Sequence, residues 1–178
     1  SETVETVSTP AGTEPVYVSS ARFVPGSSVI IYAFSLLDPL EDSFEFERWV
    51  RWDWKGEGEK VFSEATINNA TGIAFSPAQK HLMLLSQDDK LYVCDAESGE
   101  LMSRNQRASA AAFLPQDDYQ YLVGTSDGRL ELRHLEEGTD LLYEDNLVWS
   151  VGGHRGRIED LKISADGTLF LTVGADGY

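Results

Sequence analysis

Residues 163–177, ISADGTLFLTVGADG, decide how this chain is to be read. They spell a short apolar strand, a tight polar turn, a second apolar strand, and an Asp-Gly pair opening another turn. Asp-Gly between apolar runs is a strong hairpin signal. The carboxylate accepts bonds from nearby backbone N–H groups, and the glycine permits positive φ. The structural role of such an aspartate therefore outweighs a catalytic or metal-binding one.

The same order of parts recurs upstream, in ARFVPGSSVIIYAFS from Ala21, IAFSPAQKHLMLLSQDD from Ile73 and AAFLPQDDYQYLVGTSDG from Ala111. The aligned apolar anchors are Phe23, Phe75, Phe113 and Ile163. Their intervals are unequal because an insertion, SLLDPLEDS, lengthens the first and a longer connector, NLVWSVGGHRG, lengthens the last. Variable loops on constant units are the expectation for surface connections. A third strand follows the second turn, KLYVCD at 90–95 and RLELRHL at 129–135. A glycine-bearing turn then leads to a fourth strand, ELMSR or TDLLYE. Four antiparallel strands in about 40 residues are too small to bury both faces alone, so neighbouring units must cover them. No sustained helical period appears, and the fold class is all-β.

These repeats resemble the WD-repeat β-propeller family. The last unit supplies Gly153-His154, the strand RIEDLKIS, then Thr172 and Asp176-Gly177. The first ends its third strand on a literal Trp52-Asp53, where the second has Cys94-Asp95 and the third Arg133-His134. The turn aspartate persists as Asp88 and Asp127, but neither middle unit has a Gly-His pair. The resemblance implies a segment of a propeller with about three and a half four-stranded blades. It also implies a hydrogen-bond network of His154, Thr172 and Asp176 within the last blade, whose Trp would fall beyond Tyr178. A non-catalytic protein–protein interaction scaffold is the function it suggests, with no cofactor and no metal.

The organisation expected is a linker or arm at 1–15, rich in Thr, Glu, Ser and Pro, followed by a partial propeller at 16–178. Its units run roughly 16–65, 66–105, 106–148 and 149–178. VYVSS, from Val16, is expected either to close a blade with the far end of a ring or to end a blade lying upstream. Closed propellers have four to eight blades. The missing ones are expected from the rest of a longer chain, another copy or another subunit, and a terminus inside a blade favours a fragment.

Of 178 residues, 42% are hydrophobic and 25% charged, an ordinary globular balance. No apolar run approaches the roughly 20 residues that span a bilayer, and no targeting pattern opens the chain. The net charge is −16, from 14 basic and 30 acidic residues. Such a surface repels nucleic acid and anionic membranes and favours a basic protein partner, besides keeping the fold soluble. The lone cysteine, Cys94, excludes an internal disulfide framework and fits a cytoplasmic setting. In LYVCD it reads as a buried, inert thiol.

The most unusual segment is SFEFERWVRWDWKGEGEK, from Ser43. Strand alternation puts Phe44, Phe46, Val50, Trp52 and Trp54 on one face, the expected inter-blade core. The other face carries Glu45, Glu47, Trp49, Arg51 and Asp53. A tryptophan among charges beside an arginine has hot-spot composition, so Trp49 and Arg51 are candidate partner contacts. Arg155 and Arg157, in GGHRGRIED, are a second pair on a loop entering a blade. The leucine-bearing insertion LLDPLED is a third candidate.

Enzyme motifs are missing from the sequence. His81, His134 and His154 fall in three different repeats without paired zinc spacing. There is no phosphate-cradling glycine loop and no G-x-S-x-G elbow. QDD at 87–89 and 116–118 lacks calcium-loop spacing. The alternative function is a propeller-based carbohydrate binder or hydrolase using Trp49 as a stacking platform.

Overall fold

A computed structural model of the chain describes residues 16–38, 43–53, 55, 58–61, 70–137 and 143–178. Among them every regular element is a β-strand. The first sheet contains β1 (Val16–Phe23), β2 (Val29–Asp38), β3 (Ser43–Asp53) and β4 (Gly58–Val61). The second contains β5 (Ala70–Phe75), β6 (His81–Ser86), β7 (Lys90–Asp95) and β8 (Leu101–Gln106). The third contains β9 (Ala108–Phe113), β10 (Gln120–Thr125), β11 (Arg129–Glu137) and β12 (Tyr143–Gly152). A hairpin of β13 (Ile158–Ile163) and β14 (Phe170–Gly174) follows. All neighbours are antiparallel and in chain order, and the first strands β1, β5, β9 and β13 lie side by side.

The four anchors occupy equivalent places. Phe23, Phe75, Phe113 and Ile163 are the last residues of β1, β5, β9 and β13, opposite Ile30, Leu82, Tyr121 and Phe170. The turn after each closes with one bond of the same kind. Val24 N–H donates to Val29 O at 2.8 Å, Ser76 to His81 at 3.0 Å, Leu114 to Gln120 at 3.0 Å and Ser164 to Leu169 at 2.9 Å. The second turns also agree, since Asp89, Gly128 and Gly177 all take the left-handed conformation, with φ of 60°, 84° and 84°. Glycine adopts it without strain and an aspartate tolerates it.

Why the central strands read as continuous apolar runs follows from what covers them. On β6, Leu82 and Leu84 face the first sheet, packed with Ile31, Trp49, Tyr92 and Cys94. Met83, one residue out of phase, faces the third sheet, packed with Leu91, Val93, Ala108, Tyr121 and Val123. On β10 the pattern repeats, with Tyr121 and Val123 toward the second sheet and Leu122 toward the hairpin, against Leu130, Ile158 and Leu161. Each sheet is thus apolar on both faces, and the core lies between sheets. Burying each large side chain stabilises by roughly 1.5–3 kcal/mol.

Several sequence expectations are corrected. VYVSS neither closes a ring nor ends an upstream blade: it is the start of β1, continuous with Ala21–Phe23 and paired with β2. The connector NLVWSVGGHRG is mostly strand, because β12 runs to Gly152 and sets Trp149 opposite Leu132 and Val151 opposite Leu130. The third sheet therefore extends beyond residue 148. The insertion SLLDPLEDS is largely a lengthened hairpin, with β2 reaching Asp38 and β3 starting at Ser43, while residues 39–42 of LLDPLED lie outside the described residues. On β3 burial is not confined to the expected face: Val50, on that face, is 2% exposed, and Trp49, on the other, is equally buried. Trp49 shares its face with Ile31 and meets the second sheet, whereas Val50 and Trp52 point the other way. Trp54 and the side chains of Phe44 and Phe46 lie outside the described residues.

Burial also distinguishes the two faces of the hairpin. Ile158 is fully buried, and Leu161 3% exposed, on the face toward the third sheet. Leu171 is 67% exposed on the other. We expect Ile158→Ala to cost about 2–4 kcal/mol in chemical denaturation, because it opens a cavity between the hairpin and β10. Leu171→Ser on the uncovered face should change stability by no more than about 0.5 kcal/mol.

Candidate functional site

In an up-and-down sheet the second turn and the loop entering the first strand lie at the same end. That end collects Asp88, Asp89, Asp127 and Asp176 from the turns, and Arg107, His154, Arg155 and Arg157 from the entering loops. It is the candidate site, and its geometry is set by how each turn aspartate is satisfied.

In the last unit His154 does this. Its Nδ1 lies 2.9 Å from Asp176 Oδ1 and its Nε2 2.9 Å from Thr172 Oγ1. An ionised carboxylate only accepts, so Nδ1–H donates to Asp176, and Nε2 faces the Thr172 hydroxyl, which can both donate and accept. The second Asp176 oxygen accepts the Arg155 N–H at 2.8 Å. That backbone bond and the His154 donor together hold the Asp176 carboxyl down at about 2. The imidazole fits because residue 174 is glycine: a Cβ there would stand 2.3 Å from His154 Nδ1.

The middle units reach the same end differently. At the place of Gly174 they carry Ser86 and Thr125, whose hydroxyls donate to Asp88 and, at 2.5 Å, to Asp127. A second contact comes from Lys90 to Asp88 and from Arg107 to Asp127 at 3.7 Å. These bonds, Lys90 foremost for Asp88 and Thr125 for Asp127, hold both carboxyls below the usual range. A hydroxyl two residues before the aspartate thus substitutes for the Gly-His pair these units lack.

Trp52-Asp53 and Cys94-Asp95 lie at the opposite end. Asp53 accepts the Ser28 hydroxyl at 2.6 Å and the Lys55 N–H at 3.1 Å. Asp95 caps its turn through Ser98 N–H at 2.6 Å. Half-buried Trp52 stands opposite Ile30, Cys94 opposite Leu82 and Arg133 opposite Tyr121, so the three share one column of the fold. Burial pushes the Cys94 thiol up to about 12, the environment of an inert thiol. Arg133 builds an ionic cluster in that column, reaching Glu131 at 2.9 Å and Asp145 at 3.1 Å. Ser103 of the neighbouring sheet donates to the same Asp145 oxygen at 3.0 Å.

The candidate partner contacts separate. Trp49 is 2% exposed and packs on Leu82 and Tyr92, so it is no surface contact and no sugar-stacking platform. Its neighbours in sequence are charged, but its strand face meets the next sheet. Arg51 is half-buried on the same face, opposite Ile31. Arg157 is engaged within the chain, bonded to Asp89 of the second sheet and 3.4 Å from Glu159. Arg155 is exposed, and its side chain forms no ion pair among the described residues. Trp149, 38% exposed on β12, is an aromatic the motif reading passes over. The alternation Leu147, Trp149, Val151 is the signal for it.

Stacked four-stranded antiparallel sheets with these turns have the fold of a segment of a β-propeller. No family model matches the chain. It is 26% identical over 133 residues to eukaryotic translation initiation factor 3 subunit I of Meyerozyma guilliermondii, covering 66% of this chain and 37% of that protein. Its fold is similar to the C-terminal WD40 domain of Sif2, with a TM-score of 0.70, 13% identity, and coverage of 94% of this chain and 43% of the other. It is also similar to Sqt1 from Chaetomium thermophilum, with a TM-score of 0.64, 18% identity, and coverage of 89% and 41%. The chain spans about two fifths of the length of the proteins it matches.

Three outcomes test this assignment of roles. Trp49→Ala should cost about 3–5 kcal/mol of stability, read by denaturant midpoint. Gly174→Ala should cost about 1–3 kcal/mol by driving the His154 ring out of place, seen as loss of the His154 to Asp176 contact in NMR spectra. The Asp176 carboxyl is held at about 2 in the fold and rises toward 3.8 when unfolded. The unfolded chain therefore binds the extra proton, and the Asp176 contribution is complete above 3.8 and lost as pH falls toward 2. The stability difference between the parent chain and Asp176→Asn should shrink across that window.

Proposed function

We propose that the chain is a non-catalytic scaffold for protein–protein interaction, one part of a larger propeller, whose partner brings a basic surface to the rim that holds the turn aspartates. The observation that carries this reading is charge. Acidic residues outnumber basic ones 30 to 14. Many of the cations are taken up inside the chain: Lys90 by Asp88, Arg107 by Asp127, Arg133 by Glu131 and Asp145, Arg157 by Asp89 and Glu159, and Lys162 by Asp160. Carboxylates are left in excess on the surface, and a field of that sign steers and selects a positively charged partner. Within it Arg155 is an exposed cation suited to a carboxylate on the partner. Arg157 and Arg51 support the rim and the first sheet rather than the contact.

Similarity to a subunit of a translation initiation factor supports a place within a multi-subunit assembly. A cytoplasmic location belongs to the same reading. The remaining blades are supplied by further sequence of the parent protein, another copy or another subunit. No helix among the described residues is long and apolar enough to cross a membrane.

Crosslinking with mass spectrometry on the chain in native extract, followed by binding of the captured protein across a salt series, tests the proposal. The expected partner is basic, binds more weakly between 50 and 200 mM salt by about an order of magnitude or more, and loses severalfold affinity with Arg155→Ala. Stoichiometric metal, or selective binding on a glycan array, would overturn it.

A further inference from the structure

His81 is the one histidine sealed in the core, 3% exposed, with neither Nδ1 nor Nε2 bonded to any described group. Its ring fills the seam between the second and third sheets. Tyr119, in the β9–β10 turn, meets it edge-on at 5.0 Å, and Tyr143, at the start of β12, at 6.2 Å. The His134 ring lies 6.5 Å from that of Tyr119, and the Lys80 ammonium sits 5.9 Å from the centre of the Tyr119 ring. The same β9–β10 turn carries Asp118, which accepts the Ala78 N–H at 2.7 Å and so clasps the first turn of the second sheet to that of the third.

We propose that His81 is a proton-operated latch on this seam: neutral, it completes the edge-on contact with Tyr119 and Tyr143; protonated, it draws the Asp118 carboxylate from the Ala78 amide and releases the two turns. The charged groups around the ring are Asp118 from the third sheet, Asp95 directly across on β7, and Lys80 next to it in sequence. Asp95 is already tied to Glu97 N–H, Ser98 N–H and the Ser98 hydroxyl. Asp118, held by the Ala78 N–H and the Ser76 hydroxyl, exerts the larger pull on the ring and reaches it from across the seam, so it is the acceptor that moves. The proton comes from solvent to a ring nitrogen, and no covalent bond changes.

Burial holds His81 below its ordinary 6.5, against the opposing pull of Asp118 and Asp95. The unfolded chain therefore binds more protons between the folded value and 6.5, and the seam weakens as pH falls through that interval. Three measurements on the 178-residue chain test this: ring titration of His81 by NMR, the Ala78 amide shift over the same range, and unfolding constants at pH 7.5 and 5.5. The parent chain should lose up to about tenfold more of its folding constant between these pH values than His81→Phe or His81→Gln. The Ala78 shift should follow the His81 midpoint in the parent chain and be flat through it in the variants. Should His81→Phe not fold, His81→Gln carries the comparison. A His81 midpoint at or above 6.5, equal pH dependence in parent and variants, or an unchanged Ala78 titration without His81 would sink the proposal.

Discussion

Everything in this structure depends on the two-faced second strand of each unit. A four-stranded sheet of some forty residues encloses nothing, so apolar residues on one of its faces alone would leave no core. Here Leu82 and Leu84 serve one interface and Met83 the next, and Tyr121 and Val123 alternate with Leu122 in the same way. Stability is therefore held between neighbouring sheets rather than within them. The exposed Leu171 and Val173 are the same pattern on a face that no described residue covers.

Uniform stacking demands uniform sheets, and the turns supply them. Each first turn closes with one backbone bond, and the second turns of the last three units are each held by an aspartate. What bonds that aspartate varies with the space available. A serine or threonine hydroxyl does so where a side chain fits, and a histidine from the entering loop where residue 174 is bare. Degenerate repeats hold one geometry because the geometry asks for a donor of a given reach, not for one residue type. The Arg133 cluster is a parallel case, placing a charged network that reaches Ser103 of the adjoining sheet in the column occupied by Trp52 and Cys94 elsewhere.

Internal pairing and outward charge are linked. Because so many cations are absorbed in joining turns to loops, the acidic excess of the composition is expressed at the surface. The same economy of donors leaves the His81 ring without a hydrogen bond among the described residues, in a seam lined by aromatic contacts, and so makes that seam responsive to protons.

By itself the sequence determined the repeat, the all-β class, the turn aspartates and the equivalence of Phe23, Phe75, Phe113 and Ile163. These are local properties, written in strand–turn–strand patterns a few residues long. The resemblance to the WD-repeat pattern implied the grouping of His154, Thr172 and Asp176, whose bonds the structure then supplies. Only the tertiary structure decided which face of a strand meets a neighbour. Trp49 sits among charges in sequence yet is buried, because both faces of β3 are apolar enough to pack and the stacking order chooses between them. Trp149 lay hidden in an apparent connector because an outer strand is recognised by its ladder to β11, a contact between distant residues that no local window contains.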